Sequence, residues 1–430
     1  MEATITTWTS LLQPFLSIFA QPTAGVFVRL LAGWVLCNGR RTVSGMLRWA
    51  DPEGVQAHDA YHRFFPDAAW VMDELWRRLA LLAVALFYPT GVIPVHLDDT
   101  LYHRSGRKVE GAGWWRDAVR STGTKVVHAW GLNLVVLTIQ IIAPWGGEPL
   151  GLPILMRLHR KNGPTLTALA EAMLRTLAEW LPERRFLACF DGFYATLAGA
   201  DLPRTHLISR MRRDAAIYDL PPTHRPKNKR GPKPKRGRRL PAPQQMARQH
   251  LPWKRVVTIE RGRKKQRLVY ARPVIWYQVS PRPVLLVISR DPAGKEEDDF
   301  FFTTDLVMKP GEVVGHFADR WCIEDTFKNT KQLLGGQQLQ TWKRQGPERA
   351  AALSLWLYSM VWLYYLRQKK SQRTFWIWPW YPAKAAPSFA DALTSLRRAM
   401  GTEKIKWMFG NRAVHDKNYE FLIESLASAA

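Results

Sequence analysis

Two short apolar runs in this chain lead straight into aspartate, and that feature constrains the fold more than any other. The first, Gly-Val-Ile-Pro-Val-His-Leu from Gly91 to Leu97, is rich in β-branched residues and opens on a Pro-Thr-Gly breaker. It meets Asp98 and Asp99. The second, Phe186 to Phe190, is apolar throughout and meets Asp191 and then Gly192. Each reads as a strand that ends in carboxylates, and the second as a buried strand.

The segments between them supply the rest of an α/β architecture. Lys125 to Ile142 carries further strands, because Val126, Val127, Leu134 to Leu137, Ile139, Ile141 and Ile142 are too β-branched for a preferred helix. Pro153 to Arg157 reads as another strand. After the Asn162-Gly163-Pro164 turn, Leu166, Leu169, Ala170, Met173, Leu174 and Leu177 trace a helical stripe back toward the sheet. Upstream, Trp8 to about Phe87 is mostly helical in pattern, with Leu75, Leu79, Leu82 and Leu86 marking one apolar face.

Downstream of Asp191 the composition shifts. From Arg225 to Arg239 nine cations are interleaved with Pro and Gly and no acid appears, so the segment is expected to be disordered when free. Val256–Ile259, Arg267–Tyr270, Val274–Val279 and Pro283–Ser289 then predict a β-rich insertion, and Phe300–Thr303 a strand returning to the core. Val313 to Leu334 reads as one long helix stopped by Gly335-Gly336, and it carries Glu324. The apolar stretch from Ala350 to Leu366 contains Ser354, Ser359 and several Tyr and Trp, and reads as a buried helix, not a membrane span. A Trp- and Pro-rich connection and a last helical part, capped by Ser388 with Asp391 three residues on, complete the chain. The expected organisation is a helical domain over residues 1–90, an α/β domain over 91–215 and 300–370, a basic linker and β-rich insertion over 216–299, and a helical region over 371–430.

Charge narrows the function. The 62 Lys and Arg outnumber 36 Asp and Glu, a net of +26, which is more than solubility requires and implies a polyanionic partner, with nucleic acid the first candidate. Cys37, Cys189 and Cys322 are widely spaced without CxxC pairing, so no zinc site or disulfide framework is expected and a reducing cytoplasm is the simplest home. No GxxxxGK[ST] loop and no GxGxxG after a strand supports nucleotide hydrolysis.

Two strand-end aspartates and a helical glutamate are the parts needed to hold a pair of divalent cations. Hard cations prefer oxygen ligands, and two of them about 4 Å apart clamp both attacking and leaving oxygens in phosphoryl transfer. Asp98 and Asp99 alternate faces on a strand, so only one of the two can be the first ligand. On one helix, Phe317, Arg320, Glu324 and Lys331 fall within roughly 60° of one face. That places a carboxylate between two cations suited to gripping phosphates, although an ordinary solvated ion pair has the same spacing.

Here the chain resembles the DDE transposases of bacterial insertion sequences, in particular the cut-and-paste branch with a Tyr-Arg-Glu-Lys signature. The segment from His316 to Lys331 matches its Arg, Glu and Lys with Arg320, Glu324 and Lys331, and Phe317 replaces the signature Tyr. His96-Leu97-Asp98-Asp99-Thr100 resembles the family's first acidic strand, and Leu187 to Tyr194 the second. The resemblance implies an RNase H-like mixed sheet flanked by helices, catalytic and metal-ligating roles for Asp98, Asp191 and Glu324, and two Mg2+ or Mn2+ ions. It also implies double-stranded DNA substrates, namely terminal inverted repeats and target, and a homodimer on DNA. Arg320, Lys328 and Lys331, with Arg230, Lys233, Lys235 and Arg236 of the basic run, are the expected DNA contacts. The alternatives are an RNase H-like nuclease without strand transfer and a non-cutting DNA-binding protein of transposase descent.

Overall fold

The computed structural model describes residues 2–222, 234–373, 375–409 and 417–428. Five helices come first: α1 (Glu2–Leu16), α2 (Gln21–Leu36), α3 (Val43–Ala50), α4 (His58–Phe64) and α5 (Met72–Phe87). The Thr42 hydroxyl caps α3 by accepting from the Gly45 amide, and Asp73 and Glu74 sit in the first turn of α5, where they oppose its dipole. The buried face of α5 is Leu75, Trp76, Leu79, Ala80, Ala83 and Val84. This corrects the expected leucine stripe, since Leu82 is only half-buried and Leu86 is exposed. Small alanines, invisible to a search for bulky apolar residues, complete the real face.

The sheet follows, as β1 (Val92–His103), β2 (Gly113–Arg116), β3 (His128–Ile141), β4 (Leu150–His159), helix α6 (Leu166–Trp180), β5 (Arg185–Phe190) and β6 (Thr205–Arg210). β1 and β4 pair antiparallel with β3, while β1, β5 and β6 pair in parallel. The order β4-β3-β1-β5-β6, with α6 covering the crossover, is that of an RNase H-like fold. Thr165 starts α6 by accepting from the Ala168 amide at 3.2 Å.

Beyond β6 come the short α7 (Pro243–Ala247) and strands β7 (Lys254–Glu260), β8 (Arg263–Val274), β9 (Val284–Arg290) and β10 (Asp299–Thr303). The expected β-rich segment is present, and it prolongs the same sheet: β10 pairs with β6 and β9, giving ten strands in all. Arg261 and Gly262, at φ of 50° and 73°, form the tight β7–β8 turn, and a Cβ on Gly262 would lie 2.1 Å from the Gly147 carbonyl oxygen. Of the basic run, Arg230 and Lys233 lie outside the described residues. Its end, contrary to expectation, is tied to the body: the Gly237 amide donates to the Asp219 carbonyl at 2.8 Å, and Arg236 lies over the Tyr218 ring at 4.2 Å.

The remaining helices are α8 (Pro310–Asp319), α9 (Cys322–Gln332), α10 (Gly346–Arg367), α11 (Phe389–Phe409) and α12 (Lys417–Ser428). The single helix expected from Val313 to Leu334 is therefore two. At the break the ladder tightens to three-residue spacing, with Arg320 bonded to the Phe317 carbonyl and Glu324 to that of Trp321. The Asp319 carboxylate at this joint accepts from the Arg261 amide at 2.9 Å and from Gln140 at 3.1 Å, which pins it to the sheet. Gly335, at φ 56°, ends α9.

Helix α10 is buried from Arg349 to Leu366, as its composition predicted. Its two buried serines are paired: Ser359 donates to the Pro153 carbonyl and Ser354 to that of Ala351, each at 2.7 Å. Among the described residues no helix is long and apolar enough to cross a membrane. Trp356 packs edge-on against Phe15 at 4.9 Å between centroids, so the N-terminal helices and the sheet share one hydrophobic core. The Asp391 carboxylate accepts from both the amide and the hydroxyl of Ser388 at the start of α11.

Candidate active site

Asp98 and Asp99 do not end their strand. β1 continues to His103 because the fourteen-residue β3 goes on offering partners, with Asp98 opposite Val136 and Asp99 opposite Val135. What ends beside them is the parallel pairing, whose last pair is Leu97 with Phe190. Asp98 and Asp191 are thus the next residues on two adjacent parallel strands. Asp191 turns the chain into a 3-10 segment, Gly192–Gly199: its carboxylate accepts from the Phe193 amide at 3.0 Å, and its carbonyl accepts from the Ser209 hydroxyl at 2.8 Å.

Arg320, at the α8–α9 break, donates from Nη1 to Asp98 Oδ2 at 2.5 Å, with both side chains largely covered. Burial nevertheless pushes Asp98 up to about 7. Arg320 opposes the rise, and the charges of Asp191, Glu324 and Asp99 add to it. Asp99 is also raised by burial and by Asp191 and Glu324, against a hydrogen bond from the Tyr194 hydroxyl at 2.9 Å. Glu324 is exposed in the first turn of α9 and is felt by both aspartates.

The four acids are coupled through charge, yet among the described residues no three His, Cys, Asp or Glu side chains converge tightly enough to grip a metal ion. The donor chemistry does fit a hard divalent cation: the cluster is all oxygen, and burial, with the neighbouring carboxylates adding to it, raises the Asp98 carboxyl in the absence of a counter-cation. A thermal prediction follows for the metal-free protein. A carboxyl whose folded pKa lies above its unfolded value binds more protons in the folded state, so its contribution to stability is lost as pH rises from about 4 to about 7. Melting in chelator should therefore fall across that range, and Asp98→Asn should flatten the fall. An unchanged slope in the variant would contradict the assignment.

Phe317 packs in the site, lying 4.7 Å from the Phe301 ring and beneath the guanidinium groups of Arg320 and Arg210, each 5.5 Å from its centroid. Lys331, in the last turn of α9, is half-buried with its ammonium 5.9 Å from the Tyr102 ring. Burial lowers its pKa, which the charges of Asp117 and Glu324 oppose. Lys328 is exposed on the same helix, and Lys235 and Arg236 lie in the tethered end of the basic run. A cavity of about 480 Å³ opens beside Asp191, walled by Arg210, Arg261, Phe317, Arg320 and Trp321. Sequence reasoning gave no role to Tyr194, Arg210 or Arg261. Tyr194 lies three residues beyond Asp191 and was within reach of inspection, whereas the two arginines come from a strand end and a hairpin turn that only the folded sheet brings to the cleft.

An RNase H-like sheet with acids just beyond the parallel pairing of two adjacent strands defines a class of polynucleotide-processing folds. Residues 14–282, well over half the chain, match the model of the DDE superfamily endonuclease family, and the chain belongs to that family. The match takes in Asp98, Asp99 and Asp191 and ends before Glu324. No curated protein matches the chain.

Proposed function

We propose that this DDE-type nuclease is a DNA transposase of the Tyr-Arg-Glu-Lys branch, which cuts the ends of its element and joins them to target DNA. The observation that carries the reading is the juxtaposition of Asp98 and Asp191 beyond the Leu97–Phe190 pair, where burial and the neighbouring acids raise Asp98. Asp98, Asp191 and Glu324 would hold divalent cations, Mg2+ or Mn2+ and two in the complete site, which when bound supply Lewis-acid polarisation of a phosphate and a nucleophile at neutral pH.

The chain's own residues set the stage for in-line displacement. Arg320 holds Asp98 in place and, with Lys328 and Lys331, would meet the phosphates of the substrate. Tyr194 holds Asp99 as Arg320 holds Asp98, and Asp98 is the preferred ligand of the doublet. Helices in residues 1–90 would bind the inverted repeats, with the protein acting as a homodimer on DNA in the cytoplasm, next to the nucleoid. The cations of residues 225–239 would grip the backbone without reading sequence.

The test is incubation of the protein and Mg2+ with labelled element ends, taken from the DNA flanking the gene, and a supercoiled target plasmid. The expected result is label joined to the plasmid. Cleaved ends without joining would make the protein a nuclease only, and bound but uncut ends a DNA-binding protein of transposase descent.

A further inference from the structure

We propose that the cavity between residues 104–109 and 337–342 is a phosphodiester site, separate from the carboxylates, in which Arg104 anchors the backbone of the DNA strand being processed. The proposal rests on the nuclease reading above and adds a second point of attachment to it.

The cavity is about 700 Å³, and no Asp or Glu lines it. Arg104 follows directly on β1 and enters it from the end of that strand. Its Nη1 donates to the Gln337 carbonyl, but Nε and Nη2 are buried without a hydrogen-bond partner. Burial alone holds its pKa down to about 10, against a small opposing effect of Tyr102. A buried cationic donor left unpaired is costly, and an anion that accepts from it removes the cost. Of the other charged residues here, His103 is already committed to Asp117 at 2.9 Å, while Arg40, Arg107 and Lys108 are exposed at the rim.

A planar guanidinium within a ring of flexible cations suits a tetrahedral oxyanion. The exposed rim favours a phosphate that belongs to a continuing chain over a free ion, since cations on either side would meet its neighbours. Placement agrees. Six residues of strand separate Asp98 from Arg104, on the order of 20 Å at about 3.3 Å per residue. One strand of a duplex rises about 3.4 Å per nucleotide along the helix axis, so along that axis the anchored phosphate is roughly six nucleotides from the one at the acids.

The experiment measures the affinity of the full-length protein for a short fluorescent duplex across a range of salt, without divalent metal. Arg104→Gln is expected to weaken binding several-fold and to lower the slope of log affinity against log salt by about 0.9, the loss of one phosphate contact. Lys108→Gln, at the exposed rim, is expected to act in the same direction and carries the test if Arg104→Gln does not melt cooperatively. Calorimetry with inorganic phosphate separates the sources of the anion. Phosphate binding lost in Arg104→Gln with an unchanged DNA slope in both variants would make this a free-anion site and overturn the proposal. Unchanged DNA slopes with no phosphate binding would overturn it as well. Reduced slopes in a protein that never cuts DNA would uphold this site while sinking the enzymatic reading.

Discussion

Asp191→Ala is expected to lower DNA cleavage by at least about a thousandfold, the scale lost when a group that stabilises the charge of phosphoryl transfer is removed. Affinity for DNA should change by less than about threefold, because binding is carried by cations elsewhere on the chain. Asp191 also caps the 3-10 segment through the Phe193 amide, and loss of a cap costs about 1 kcal/mol, so alanine alone mixes two effects. Asp191→Asn separates them: the amide oxygen can still accept from Phe193, but the charge is gone. Cleavage gels beside fluorescence anisotropy check both numbers, and an asparagine variant that cuts within tenfold of the parent would refute a catalytic role for this carboxylate.

Arg349→Ala is expected to cost stability by about 3 kcal/mol or more, without any direct effect on the acids. Its guanidinium is buried, donates to the carbonyls of Phe65, Ala68 and Trp70 at 3.1, 2.8 and 2.7 Å, and lies 4.4 Å from the centre of the Trp70 ring. Hydrogen bonds to a charged donor are worth about 1.5–3 kcal/mol each, and truncation takes this donor from all three carbonyls, of which that of Ala68 keeps the Trp70 amide. Because α10 also packs on β4 and α9, the loss should appear as one cooperative transition at lower denaturant, with the N-terminal helices melting alongside the sheet. A midpoint within error of the parent would show that the 65–70 segment does not depend on this residue.

Much of this layout was legible in the sequence because its signals are local. β5, α6, β10 and α10 coincide closely with apolar runs or helical stripes, since each is buried in a way its own residues announce. What escaped depends on partners. β2 and β6 have little apolar patterning of their own and exist as strands because β3 and β5 pair with them. β1 runs past its aspartates for the same reason. Periodicity joined α8 to α9, and only the commitments of Asp319 to the β7–β8 turn and of Arg320 to Asp98 show why the helix breaks between them. In the site, the acids and the Arg320–Glu324 spacing were visible as a motif. The ion pair of Arg320 with Asp98, the Tyr194 bond to Asp99 and the arginines of the cleft are products of the fold.

The central claim is that Asp98, Asp191 and Glu324 act as one divalent-cation site, and Mn2+ binding to the full-length protein, followed by electron paramagnetic resonance at pH 8, tests it directly. Glu324→Ala, Asp98→Asn and Asp191→Asn should each weaken Mn2+ binding at least about tenfold, and binding to the parent should tighten with pH as Asp98 loses its proton. Equal Mn2+ affinity in the parent and in Glu324→Ala would show that the glutamate is no part of the site, and the assignment of these three acids to one centre would fall.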